Sequence, residues 1–206
     1  MRFSERGQRR LTLAALTVGV AAITAPALAE DSMADPEVEV MAGSCTFCHG
    51  PNGVGVGEAV PTISGLHADQ FAYMMRTYQD DTNPSTVMGR IARGYTEDQI
   101  EQLALYFESL PFQRPPQPAI DMALVAEGRE LAAEYCESCH ENEGRDGEGV
   151  GILAGQKLVY MRFATEDFLE GHREMERRQA RKFRELMEAH GMEGFEKILH
   201  YYASVK

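Results

Sequence analysis

The sequence predicts an all-α protein built from two tandem repeats. Three observations carry that prediction. The motif C-x-x-C-H occurs at Cys45-Thr46-Phe47-Cys48-His49 and recurs at Cys136-Glu137-Ser138-Cys139-His140. The segments that follow the two motifs correspond. Ile63-Ser64-Gly65 matches Leu153-Ala154-Gly155, each leads into a helical pattern with aromatics (Phe71 and Tyr73; Tyr160 and Phe163), and Tyr106-Phe107-Glu108-Ser109-Leu110 matches Tyr201-Tyr202-Ala203-Ser204-Val205. Between them lies Pro111-Phe112-Gln113-Arg114-Pro115-Pro116-Gln117-Pro118, a stiff extended linker in composition. Self-similarity at a fixed period marks a repeated structural unit, so the chain divides into residues 30–113 and 114–206, preceded by a leader.

Residues 1–29 have the pattern of a cleaved signal peptide. Arg2, Arg6, Arg9 and Arg10 precede an apolar run from Leu11 to about Ile23, and Ala27-Leu28-Ala29 is a small-residue cleavage site. The run is short of the roughly 20 apolar residues that span a bilayer, and no later stretch approaches that length. The expected product starts near Glu30, is exported, and has no membrane span.

Glycine-rich loops follow both motifs, Gly50–Gly57 and Glu141–Gly151. In the first repeat, Asp80-Asp81-Thr82-Asn83-Pro84-Ser85-Thr86 forms a turn-rich loop ahead of Met88. Thr96-Glu97-Asp98-Gln99 fits a capping box, with Thr96 as N-cap and Gln99 reaching back. Ile100, Leu103, Phe107 and Leu110 then share one helical face, and Pro111 ends the run. In the second repeat, Asp121 can cap a helix whose Leu124, Gly128, Leu131 and Tyr135 form a buried stripe leading to Cys136. A mid-helix glycine costs about 1 kcal/mol relative to alanine, so Gly128 is expected at a close crossing with the helix bearing Tyr201 and Tyr202. Glu37 stands at the equivalent place in the first repeat, where the crossing must be looser.

The motif is the attachment signature of c-type haem. Two thiols add to the porphyrin vinyl groups, and the next histidine reaches the iron. Paired zinc knuckles carry about 15–20 residues between them, whereas far more separate Cys48 from Cys136. A thioredoxin-like pair needs a preceding strand, which neither site has, and structural disulfides would leave both histidines without a role. The reading is two covalently bound haem c groups, held by Cys45, Cys48, Cys136 and Cys139, with His49 and His140 as axial ligands.

A low-spin carrier needs a second axial ligand on each iron, and His/Met ligation raises the potential. Met88 follows an irregular loop that can swing a thioether over a haem face, whereas Met74 and Met75 sit in an apolar helical pattern. Met175 lies among charges in His172-Arg173-Glu174-Met175-Glu176-Arg177-Arg178, with no core to fill. Met161, Met187 and Met192 belong to ordinary helical segments, and His172 and His190 are the bis-histidine alternatives.

The charge balance narrows the partners. The whole chain is formally −12, and residues 1–29 hold four Arg and one Glu, so the remainder is −15. Such a chain has no electrostatic grip on nucleic acid or anionic lipid, and a basic redox partner would be steered toward it. Against this background, Arg173, Arg177, Arg178, Arg181, Lys182 and Arg184 stand out. Helical i,i+4 pairs such as Glu174–Arg178 account for part of the run, and an interface or haem propionates for the rest.

The order of motifs resembles the dihaem cytochrome subunit of flavocytochrome c sulfide dehydrogenase across essentially the whole exported chain. The residues that carry the resemblance are C-x-x-C-H-G, Ser85-Thr86-Val87-Met88-Gly89-Arg90-Ile91-Ala92-Arg93-Gly94-Tyr95, Tyr135-Cys136, Ile152-Leu153-Ala154-Gly155-Gln156, the basic stretch at Met175 with Phe183-Arg184-Glu185-Leu186, and Tyr202-Ala203-Ser204. It implies two class-I cytochrome c domains about a pseudo-twofold axis in the periplasm. It also implies docking on an FAD-containing sulfide dehydrogenase subunit as a heterodimer, and electron transfer to a soluble acceptor such as a cytochrome c. The chain itself would be a non-catalytic electron-transfer subunit. In such domains a proline carbonyl orients the axial imidazole; Pro61 would serve His49, and Gly151-Ile152 occupy that neighbourhood in the second repeat. The alternatives are a freestanding dihaem carrier feeding a terminal oxidase and a small dihaem enzyme with an open iron site. The second half departs from the freestanding carriers at His140-Glu141 and around Met175.

Overall fold

The computed structural model describes residues 35–115, 117, 119–147 and 149–206. The expected signal segment lies outside them, as do Pro116, Pro118 and Glu148. Every regular element among the described residues is helical: α1 Pro36–His49, a 3-10 turn at Pro51–Gly53, α2 Ala68–Gln79, α3 Met88–Ala92, α4 Glu97–Glu108, α5 Met122–Tyr135, the single turn α6 Glu141–Gly144, α7 Leu158–Leu169 and α8 Arg177–Ser204.

Local chemistry sets the helix ends. The Asp35 carboxylate caps α1 by accepting from the Glu37 N–H at 2.9 Å, Pro36 takes the first turn where no N–H is needed, and Gly50 leaves the helix at φ 75°. The expected capping box opens α4: Gln99 N–H donates to Thr96 Oγ1 at 3.3 Å and Thr96 N–H to Gln99 Oε1 at 3.0 Å. Asp121 caps α5 through the Ala123 N–H, while its own N–H donates to His200 Nδ1 at 2.9 Å. That bond ties the start of α5 to α8 and leaves the His200 proton on Nε2. A break at Gly191 (φ 61°, ψ −160°) divides α8 into two helical arms.

The repeat is visible in the backbone. The Gly53 carbonyl accepts from Ile63 and Ser64, and the Gly144 carbonyl accepts from Leu153 and Ala154. Gly65 N–H donates to Phe107 O at 2.6 Å and Gly155 N–H to Tyr202 O at 2.8 Å. A Cβ on Gly53 would stand 2.9 Å from the Phe107 ring, and one on Gly144 2.6 Å from the Tyr202 ring. Each repeat thus uses a glycine to seat its loop on the aromatic of its closing helix.

Each half has its own core. The first gathers Phe71, Met75, Ile100, Leu103 and Phe107, and the second Leu131, Leu158, Leu186, Phe195 and Tyr202. Leu66 packs on both. The crossing predicted at Gly128 is present: a Cβ there would overlap the Lys197 carbonyl oxygen and lie 2.5 Å from its carbon. The linker is a strap pinned to the second half. Arg114 Nε donates to Ala154 O at 3.1 Å, and the Gln117 amide bonds Gln156 O and Leu158 N–H at 2.8 and 2.9 Å.

Candidate haem centres

In the first half, α1 runs through the motif, so Cys45, Cys48 and His49 lie three and four residues apart on one helical turn and share a face. Cys45 is half-buried and Cys48 exposed, and both are free thiols. Burial pushes the Cys45 thiol up. The second motif is built differently. Here α5 ends at Tyr135, and Cys136–His140 form a turn in which Cys139 N–H and His140 N–H both donate to Cys136 O at 3.0 Å. Burial raises the Cys136 thiol to about 12. In the following turn, α6, Asn142 and Glu143 take positive φ, so it is not a regular right-handed helix.

The imidazoles are fixed in the same way in both halves. His49 Nδ1 lies 2.8 Å from Pro61 O, and His140 Nδ1 lies 3.0 Å from Gly151 O. A carbonyl can only accept, so the proton sits on Nδ1 and the Nε2 lone pair is left for a metal. Burial lowers both imidazoles below their ordinary pKa, outweighing the opposite pull of the carbonyl. A neutral imidazole with a free Nε2 beside two free thiols suits covalent haem, so the residues present fit the group. The second half has no proline here, and the Gly151 carbonyl fills the role.

Met88 opens α3, half-buried, and packs on the same cluster as Cys45. Ser85 Oγ accepts from the Gly89 N–H at 2.8 Å and stiffens the loop that delivers it. Met175 is half-buried, two residues before α8, and among the described residues it is not one of those packed on the second core. Its rivals are otherwise placed. Met75 and Met161 are buried in the cores, Met187 packs on the second core, and Met192 is exposed. His172 is exposed beside Asp167 and Glu170, and His190 sits edge-on to Tyr135.

Two features left no mark in the sequence pattern. Thr62 and Gln156 exchange backbone-to-amide hydrogen bonds between the halves, both at 2.9 Å and both buried. Arg173, from the second half, bonds Asn83 of the first, and Asn83 Nδ2 donates to Met74 Sδ at 3.7 Å. The Glu174–Arg178 pair is replaced: α8 begins only at Arg177, so Glu174 is off the helix and Arg178 bonds Ser138 O at 3.2 Å.

Comparison with known proteins gives a consistent neighbourhood. No protein-family model matches the chain. It is 31% identical over 177 residues to the thiosulfate dehydrogenase electron acceptor of Thiomonas intermedia, covering 80% of this chain and 77% of that protein. It is 35% identical over 72 residues to the cytochrome subunit of sulfide dehydrogenase of Chlorobaculum tepidum, covering 35% of this chain and 64% of that one. Reduced cytochrome c4 from Pseudomonas stutzeri superposes with a TM-score of 0.70 at 19% identity, over 82% of this chain and 97% of that structure. This last likeness bears on the fold, a tandem of class-I cytochrome c units.

Proposed function

The chain is a dihaem cytochrome c of the family that includes the thiosulfate dehydrogenase electron acceptor, and we propose that it takes electrons from a dehydrogenase of a reduced sulfur compound and passes them to a soluble acceptor in the periplasm. Residues 30–113 carry one haem, on Cys45 and Cys48 with His49 and Met88 on the iron. Residues 114–206 carry the other, on Cys136 and Cys139 with His140 and Met175. When bound, haem c supplies a one-electron ferric/ferrous couple whose potential a thioether ligand raises. The chain's own residues hold and tune it: the Pro61 and Gly151 carbonyls keep each imidazole in one tautomer, and burial keeps it neutral. The single observation that supports the reading most is this duplicated His–carbonyl pair behind a duplicated C-x-x-C-H.

Two donors fit. Thiosulfate dehydrogenase is favoured by the relative that matches along most of its length. An FAD-containing sulfide dehydrogenase subunit, forming a heterodimer with this chain, is the second reading, favoured by the relative named a cytochrome subunit of that enzyme. The test is direct. The holoprotein is mixed with each purified dehydrogenase and its substrate, and reduction is followed in the visible spectrum. Rapid reduction by one pair and not the other identifies the donor; reduction by neither removes the sulfur-compound role. Met88→Ala and Met175→Ala are each expected to abolish thioether ligation at one haem, seen as loss of about half the red methionine-to-iron charge-transfer band and a lowered potential for one of the two couples.

A further inference from the structure

The second half sorts its basic run onto two faces of α8. Arg178 and Lys182 turn inward over the second motif. Arg178 Nη2 donates to Ser138 O at 3.2 Å, Lys182 Nζ donates to Glu134 O at 3.2 Å, and the Lys182 ammonium lies 5.4 Å from the Tyr135 ring centroid. Arg177, Arg181 and Arg184 take a different face. At about 100° per residue they fall within roughly 60° of arc, opposite Leu186. Leu186 is 2% exposed in the second core, whereas all three arginines are exposed. Arg181 approaches Glu185 only to 4.0 Å, and among the described residues no ion pair joins Arg177 or Arg184 to a carboxylate. Three exposed guanidinium groups, one of them 4.0 Å from the Glu185 carboxylate, therefore line about 10 Å of helix.

The rest of the chain has the opposite sign. Residues 30–113 contain thirteen Asp and Glu against three Arg, and residues 177–184 contain five basic residues and no acidic one. Like-charge crowding of this kind disfavours the folded chain unless something neutralises it, and arginine forks match carboxylates bidentately. The location is as specific as the charge: the stripe starts two residues after Met175, and the inner face of the same helix is bonded to the turn that bears Cys136 and Cys139.

We propose that Arg177, Arg181 and Arg184 form the docking surface for an acidic redox protein that exchanges electrons with the second-half haem, an inference that rests on the two-haem reading above. The acidic first half suits a basic partner, so the two halves of the chain address proteins of opposite charge. A compact acidic cluster fits better than an anionic membrane. The arginines span about 10 Å, close to the screening length of roughly 8 Å at physiological salt, and a flat anionic sheet would also meet the exposed Glu174, Glu176 and Glu188 that flank the stripe.

The test uses the reduced holoprotein and two small oxidants, anionic hexacyanoferrate(III) and cationic tris(phenanthroline)cobalt(III), in stopped flow. In the triple variant R177Q/R181Q/R184Q, oxidation by hexacyanoferrate at low ionic strength should fall at least about threefold, with the gap closing at high salt. The cobalt rate should not fall, and R177K/R181K/R184K should stay near the parent. Fluorescent poly-L-glutamate should bind the parent and not the glutamine variant. An unchanged hexacyanoferrate rate, an equal fall with both oxidants, or unaltered poly-L-glutamate binding overturns the proposal. So does stripe-dependent cosedimentation with phosphatidylglycerol vesicles in the absence of poly-L-glutamate binding, which would assign the stripe to a membrane. Fewer than two haems per chain would overturn the two-haem reading separately, because poly-L-glutamate binding is measured without reference to haem content.

Discussion

Pro61 and Gly151 offer His49 and His140 the same atom, a backbone carbonyl oxygen, at 2.8 and 3.0 Å. The proline ring is therefore incidental to orienting the imidazole; its contribution is to restrict the unfolded chain. Replacing Pro61 by Ala should leave the visible spectrum and both potentials in place while lowering stability by no more than about 1 kcal/mol. Loss of one His-ligated haem spectrum in that variant would give the ring a role the carbonyl lacks. The same comparison shows what a sequence can reveal at this scale. Cysteine, histidine and methionine act through side chains, so their letters and spacing point to the chemistry. A backbone acceptor is carried by any residue, and Gly151 gives no letter to read. The spacing misleads at Glu174 and Arg178 for a related reason: i,i+4 spacing means contact only inside a helix, and the start of α8 falls between them.

Among the helices, glycine separates two kinds of packing. At Gly128 the α5–α8 approach is closer than any side chain allows, because a Cβ would overlap the Lys197 carbonyl oxygen and reach 3.0 Å from Tyr201 Cβ. Backbone cannot yield as a flexible side chain can, so Gly128→Ala should cost about 2–3 kcal/mol. Gly43, also mid-helix in α1, has nothing within 4 Å of a Cβ. Gly43→Ala should therefore stabilise by up to about 1 kcal/mol through helix propensity alone. Chemical unfolding of the two variants checks the opposite signs. Gly128 is legible in the sequence because an expensive residue in a good helix needs a reason; the break at Gly191, where φ is 61° inside α8, carries no such pattern around it. A second prediction concerns the α7–α8 contact. Arg162 donates to both oxygens of Glu196, at 2.7 and 2.8 Å, and holds that carboxyl below its usual range. Because the folded value is depressed, the stabilisation is complete above the unfolded carboxylate pKa of about 4.3 and fades as pH falls through the folded value. Both side chains are about one-third exposed, so Glu196→Gln should cost only about 0.5–1 kcal/mol at pH 7 and less at pH 3. Urea unfolding at the two pH values measures this, and an equal cost at both would rule out the ionic contribution.

At the scale of the molecule, the question is whether the halves merely adjoin or fold together. The repeat and the proline-rich linker suggest two units on a spacer, whereas residues 34–206 form one compact unit whose two clusters of buried side chains share Leu66. The inter-half bonds argue for coupling. Gln156 accepts from Thr62 N–H and donates to Thr62 O, and its Oε1 also accepts from Lys157 N–H at 2.9 Å, with Gln156 3% and Thr62 0% exposed. One amide thus satisfies three buried backbone groups, and no sequence period announces it, because its counterpart in the repeat is the apolar Leu66. Placing leucine there, Gln156→Leu, keeps similar bulk but leaves the Thr62 N–H and C=O and the Lys157 N–H without this partner. A stranded buried group costs about 1–3 kcal/mol, so the variant should lose at least about 3 kcal/mol if the interface stays closed. If it opens instead, Arg173 is released from Asn83 as well, and the halves should melt independently. Calorimetry of the holoprotein distinguishes the cases: a single transition in the parent that splits in Gln156→Leu is the expected outcome. Two transitions already present in the parent would mean that the halves are independent and that this amide couples nothing.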